Sequence, residues 1–106
     1  MVKVIIQPCY GIFEPTDKFE KLIKSKGYES IWSIEARTDK DLIEYVEKHV
    51  NDYGVMEGKE HWMYLSIVEV DTSKPWCIND YDGSEYIQYM QYEILNKDLN
   101  YVKITN

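Results

Sequence analysis

The stretch Glu69–Tyr92, EVDTSKPWCINDYDGSEYIQYMQY, decides how the second half of the chain folds. It opens on a loop, because Asp71-Thr72-Ser73-Lys74-Pro75 strings together turn formers. Asp82-Gly83 is a second turn signal. Beyond it two readings compete. Ser84 can cap a short helix through Ile87 and Met90, or Tyr86–Leu95 can be a strand, favoured by its tyrosines. The same stretch interleaves Trp76, Tyr81, Tyr86, Tyr89 and Tyr92 with Glu69, Asp71, Asp80, Asp82 and Glu85. Rings with polar tips set among carboxylates suit a contact surface; the competing reading is that these rings pack the core.

Upstream, His61–Val70 is the strongest strand. Met63, Leu65 and Ile67 point one way, and Trp62, Tyr64, Val68 and Val70 the other, so two apolar faces predict a central strand. Downstream, Leu99–Ile104 alternates and is expected to pair with the preceding segment as a hairpin through Asn96-Lys97-Asp98. Val2–Tyr10 reads as a first strand, closed by Pro8 and Gly11. Thr16 is placed to cap a helix whose Phe19, Leu22 and Ile23 form one apolar stripe, with Gly27 as its stop. The alternation of Trp32, Ile34 and Ala36 against Ser33, Glu35 and Arg37 predicts a second strand over Ile31–Arg37. Thr38-Asp39-Lys40-Asp41 resembles a capping box, and the following helix carries Leu42, Val46, His49, Val50 and Tyr53 near one stripe before Gly54 ends it.

These elements predict a single α+β domain over residues 1–106. Its order is β-α-β-α-β and then a C-terminal hairpin. The sheet is mixed or antiparallel with about five strands, and two helices pack on one face. A chain of 106 residues, 44% hydrophobic and 14% aromatic, is too apolar for disorder and long enough to bury a core.

The net charge of −7 is uneven. Residues 1–50 hold eight Lys/Arg against nine Asp/Glu, whereas residues 51–106 hold four against ten. A surface this acidic lacks the cations that displace counterions from phosphate backbones, which argues against direct nucleic-acid binding. The Lys-rich face of the first helix, Lys18, Lys21, Lys24 and Lys26, is interrupted by Asp17 and Glu20 and reads as a solvated face. Val2-Lys3-Val4-Ile5-Ile6 is too short for a signal-peptide core, and no apolar run approaches a membrane span. The expectation is a cytoplasmic protein with Cys9 and Cys77 reduced.

Catalytic patterns fail on spacing. Cys9, His49, His61 and Cys77 match a zinc site in number but contain no local Cys-x-x-Cys or His-x₃₋₅-His pair. Aligning Gly83 with the glycine of a calcium loop puts Ile78 and Tyr89 where ligands belong, so the bland reading is a turn whose Asp side chains bond their own backbone. Neither cysteine has an obvious cation beside it to make a reactive thiolate, and no glycine-rich phosphate loop exists. No cofactor or metal is expected.

The function read from these residues is a non-catalytic protein-binding or regulatory module. Its acidic-aromatic surface comprises Trp76, Asp80, Tyr81, Asp82, Glu85 and Tyr86. One form of it is an inhibitor that mimics nucleic acid with its carboxylates. The alternatives are a small metal-dependent or acid/base enzyme using Asp80, Asp82 and Glu85, and an assembly subunit that pairs through its C-terminal strands. The protein is expected to be a monomer or homodimer.

Overall fold

Val2–Ile6 and Ser66–Val70 are β-branched runs, and they pair antiparallel as β1 and β2, with Val4 opposite Val68 and Ile5 opposite Ile67. The computed structural model describes residues 1–51, 53–59, 62–94 and 101–105, with backbone alone for 90–94 and 101–105. Period-two alternation gives this ribbon two different faces. One face presents Ile5 and Ile67 to three helices; the other presents Val4, Ile6, Val68 and Val70 to a second sheet.

The helices are α1 (Asp17–Ser25), α2 (Ile34–Arg37) and α3 (Lys40–His49). Thr16 caps α1 by accepting from Phe19 N, as its position predicts, and Gly27 follows the end at φ 90°. Asp39, not Thr38, caps α3; its carboxylate accepts from Asp41 N and Leu42 N, while Thr38 closes α2 by donating to Ile34 O. Phe19 and Ile23 from α1, and Leu42, Ile43 and Val46 from α3, fill the main core with Ile5, Phe13, Ile31, Ala36, Met56 and Leu65. Phe19 stacks on Tyr45 at 5.1 Å.

The second sheet is a long ribbon. Trp76–Tyr81 (β3) pairs antiparallel with Ser84–Ile94 (β4), and Tyr101–Thr105 (β5) pairs with the far half of β4, from Met90 opposite Thr105 to Ile94 opposite Tyr101. The β3–β4 connection is the two-residue turn Asp82-Gly83, with φ of 50° and 86°. Two positive φ angles in a two-residue hairpin are the I′ geometry that suits the right-handed twist of the strands. Trp76, Ile78, Ile87 and Tyr89 form the inner face of this hairpin and pack on Val4, Ile6 and Val70. The radius of gyration, 16.1 Å, exceeds the roughly 13 Å of a compact chain this long. The extents of 55 × 27 × 22 Å reflect the projecting ribbon, here called the arm.

Three expectations are corrected. The single sheet of about five strands is not formed; the strands divide into β1–β2 and β3–β4–β5. Ile31–Arg37 is not a strand: Ser33 accepts from Ala36 N and starts the four-residue α2, which gives three helices among the described residues rather than two. Finally, β2 is not central: among the described residues it pairs with β1 alone, and its two apolar faces arise from layers stacked above and below. Residues 84–94, open between helix and strand, are strand. The Asn96-Lys97-Asp98 turn and His61 lie outside the described residues.

Candidate functional site

The arm meets the helical head at a polar node built around Glu85. As the second residue of β4, Glu85 lies on the inner face, opposite Asp80. Arg37, the last residue of α2, points into the same place. Its guanidinium donates twice to the Glu85 carboxylate, Nη1 to Oε1 at 2.8 Å and Nη2 to Oε2 at 2.6 Å. The side chains are 6% and 15% exposed, so this is a buried ion pair with bidentate geometry. Burying two charges is costly unless their remaining groups are satisfied. Here they are: Arg37 also donates to Trp32 O and Ile5 O, its guanidinium carbon lies 5.1 Å from the centroid of the Trp32 ring, and Glu85 Oε1 accepts from Gln7 N at 2.7 Å.

Gln7 and the glycines complete the junction. The Gln7 amide donates to Cys9 O, Gly11 O and Gly83 O, and accepts from Phe13 N. Glu85 N donates to Gln7 O, Gly11 N to Asp82 O, and the Ser84 hydroxyl to Pro8 O. A Cβ on Gly83 would sit 2.4 Å from Gly11 O, so the two backbones meet with no room for a side chain. Among the described residues no buried side-chain nitrogen or oxygen lacks a partner. The loop after β1 and the β3–β4 turn are therefore braced against each other.

Large side chains stand exposed on this braced frame. Tyr10, Ile12 and Tyr81 are 65%, 75% and 71% exposed, and Trp62 lies beside Gly11. A cleft of about 290 Å³ at the junction is lined by Ile12, Trp32, Arg37, Asp80, Gly83 and Glu85. Asp80 is exposed at its rim, with Oδ2 accepting from Gly83 N; this is the backbone-bonding turn the sequence allows. Asp82 is exposed at the tip and Tyr86 on the outer face of β4.

The six residues singled out from the sequence thus separate. Asp80, Tyr81 and Asp82 gather at the tip. Tyr86 lies on the outer face, Trp76 packs partly buried against Val4, Ile6 and Val70, and Glu85 turns inward onto Arg37. Sequence reasoning missed Tyr10 and Gln7, which were absorbed into a strand that ends at Ile6, Ile12, which no motif marks, and Arg37, whose burial no local pattern announces.

Other chemistry is dispersed. Cys9 is buried, Cys77 lies on β3 with Sγ donating to Gln88 Oε1, and His49 stacks on Tyr45 at 4.1 Å. Among the described residues no group of three or more His, Cys, Asp or Glu is placed to hold a metal. The shifted titrations lie away from the tip. Burial pushes the Asp39 carboxyl up, but the Tyr28 hydroxyl, the Leu42 and Asp41 amides and Lys26 outweigh it and hold it below the usual range. Tyr28 is raised in turn by its bond to Asp39, and Asp71 is lowered by the Ser73 hydroxyl and amide. Comparison of the chain with protein-family models, with characterised proteins and with solved structures yields no match. Among the described residues no helix is long and apolar enough to cross a membrane.

Proposed function

We propose that the protein is a non-catalytic protein-binding module that contacts its partner through the tip of the β3–β4 hairpin and the adjoining loop. The observation that carries this reading is the exposure of Tyr10, Ile12 and Tyr81 on a frame held by Gln7, Gly11 and Gly83. A clustered apolar patch on a rigid support, rimmed by charge, is the usual form of a contact site. Tyrosines there add contact area at low entropic cost.

Asp80, Asp82 and Tyr86 supply the polar rim, while Trp76 and Glu85 hold the hairpin in place from beneath. The acidic rim favours a partner surface with basic residues around an apolar centre. The nucleic-acid-mimicking form gains little support, because Glu85 is neutralised by Arg37 and only Asp80 and Asp82 remain as acids at the tip. A cytoplasmic setting belongs to the same proposal.

The test is affinity purification with the wild type and with an Ile12→Ser, Tyr81→Ala double variant, with captured proteins identified by mass spectrometry. The variant should keep its melting temperature and lose the specific partner, and the purified partner should then bind the wild type alone in calorimetry. A partner that binds both proteins equally removes the tip from the reading.

A further inference from the structure

The polar groups around the cleft at the junction of arm and head are nearly all spent on one another. The Gln7 amide is fully engaged by Cys9 O, Gly11 O, Gly83 O and Phe13 N. Arg37 and Glu85 cancel each other's charge through two hydrogen bonds, and Glu85 Oε1 also accepts from Gln7 N. Asp80 is the exception. Its Oδ2 accepts from Gly83 N, whereas among the described residues its Oδ1 accepts nothing and no cation pairs with it. The lining therefore holds two acids, Asp80 and Glu85, against one base, Arg37, and a single negative charge is uncompensated. Among the described residues no lysine lines the cleft. Its apolar walls are Ile12 and Trp32, and Ile12 stands 75% exposed beside it.

We propose that the cleft takes one lysine side chain of the protein partner, with its methylene stem on Ile12 and Trp32 and its ammonium at Asp80 Oδ1. This deepens the reading of the tip as a contact surface and rests on it. At about 290 Å³ the cleft falls just below the roughly 300–1,000 Å³ of cofactor and small-molecule sites, which suits one side chain. A lysine is apolar along its stem and charged at its end, the order the cleft offers from wall to rim. Charge complementarity selects the cation. An acidic side chain would meet an unpaired carboxylate, and a purely apolar one would desolvate Asp80 without giving it a partner.

Lysine is preferred to arginine because one carboxylate oxygen is already held. A guanidinium fork gains from two parallel bonds, and Gly83 N occupies Oδ2. An ammonium is a point charge that needs only Oδ1. The Arg37 guanidinium does not repel it, because Glu85 neutralises that charge at 2.6 Å. The Gln7 amide and the Gly83 N–H hold the turn, so Asp80 is presented with little left to order on binding.

Nα-acetyl-lysine N-methylamide, titrated into isotope-labelled protein at constant ionic strength and followed by NMR, reads the cleft without the partner. The backbone amides of Ile12, Asp80 and Gly83 and the indole N–H of Trp32 should shift together, with a Kd of about 1–10 mM. The norleucine compound, which lacks the charge, should bind about fivefold more weakly, and Asp80→Asn should weaken the lysine compound by a similar factor. The asparagine keeps an acceptor for Gly83 N, so the variant's own spectrum should stay close to wild type away from position 80. Asp82→Asn removes a charge outside the cleft lining and should leave the titration unchanged. The proposal is overturned if the norleucine compound binds as well as the lysine compound, if Asp80→Asn binds like wild type, or if the arginine compound binds more tightly than the lysine one. It is also overturned if no cleft amide moves; a captured partner that still depends on Ile12 and Tyr81 then leaves the tip reading standing alone.

Discussion

The two faces of the β1–β2 ribbon are covered by different means. The helical side is sealed by burial: Phe13, Phe19, Ile23, Ile31 and Leu42 have essentially no exposed surface. The arm side rests on a thin layer in which only Val4, Ile6 and Val70, all from the ribbon itself, are fully buried. Trp76, Ile78, Ile87 and Tyr89 are each only partly covered. What fixes the arm in addition is directional: the Arg37–Glu85 pair, the Gln7 amide and the close approach of Gly11 and Gly83. Burial gives stability without direction, whereas ion pairs and amides give direction at modest net stability. A contact surface at the arm tip needs the second kind of support more than the first.

That contrast can be broken most severely from the head. Phe19→Ala removes a fully buried ring that stacks on Tyr45, and should cost about 4 kcal/mol. Chemical denaturation should show the entire cooperative transition moved. Glu85→Ala should cost somewhat less, about 3 kcal/mol, by leaving Arg37 buried and unpaired. Its signature is local: hydrogen exchange should rise in Cys77–Tyr81 and Gly11 while the amides of α1 stay protected. An Arg37→Met, Glu85→Met double variant should recover much of that loss; equal destabilisation of head and arm would erase the distinction between them.

Asp39→Ala sharpens the comparison from the capping side and should cost about 1 kcal/mol. Because the Asp39 carboxyl is held below its ordinary range in the folded state, its contribution is complete above the unfolded value near pH 4 and is lost as pH falls through the folded value. Thermal melts between pH 5 and about pH 2 should therefore be less steep in pH for the variant than for the wild type. The smallest effect on folding belongs to Tyr81→Ala, within about 0.5 kcal/mol, since that side chain is mostly exposed. Its effect should appear in partner binding alone.

Much of the head was legible because its signals are local. Thr16, Gly27 and the stripe of Phe19 and Ile23 lie within one helix and need no distant information. Ile31–Arg37 misled because Trp32, Ile34 and Ala36 satisfy a two-residue period over too short a stretch. Ser33 as an N-cap decides the matter, and of those three only Ala36 is buried. Asp82-Gly83 was visible as a turn, yet β3 was hidden by its polar Asn79 and Asp80. The division into two sheets was not legible at all. A strand apolar on both faces looks the same whether its neighbours lie beside it or above and below it, as β2 demonstrates. The site divided in the same way: the acids at the tip are readable from their turn, but the inward rotation of Glu85 depends on Arg37, 48 residues away.

The wiring of β1 also sets an order of events during synthesis. Val2 waits for Val70, and Gln7 for Glu85, a separation of 78 residues. When the helices emerge, the first strand has neither its ladder partner nor its edge cover. Contacts this distant in sequence are slow to close, and an apolar strand left unpaired invites association with other chains. The N-terminal Val2–Ile6 run should therefore be the segment of the nascent chain most in need of a chaperone. Truncation before Ser66 should leave it so permanently, turning a stable protein into an aggregating one.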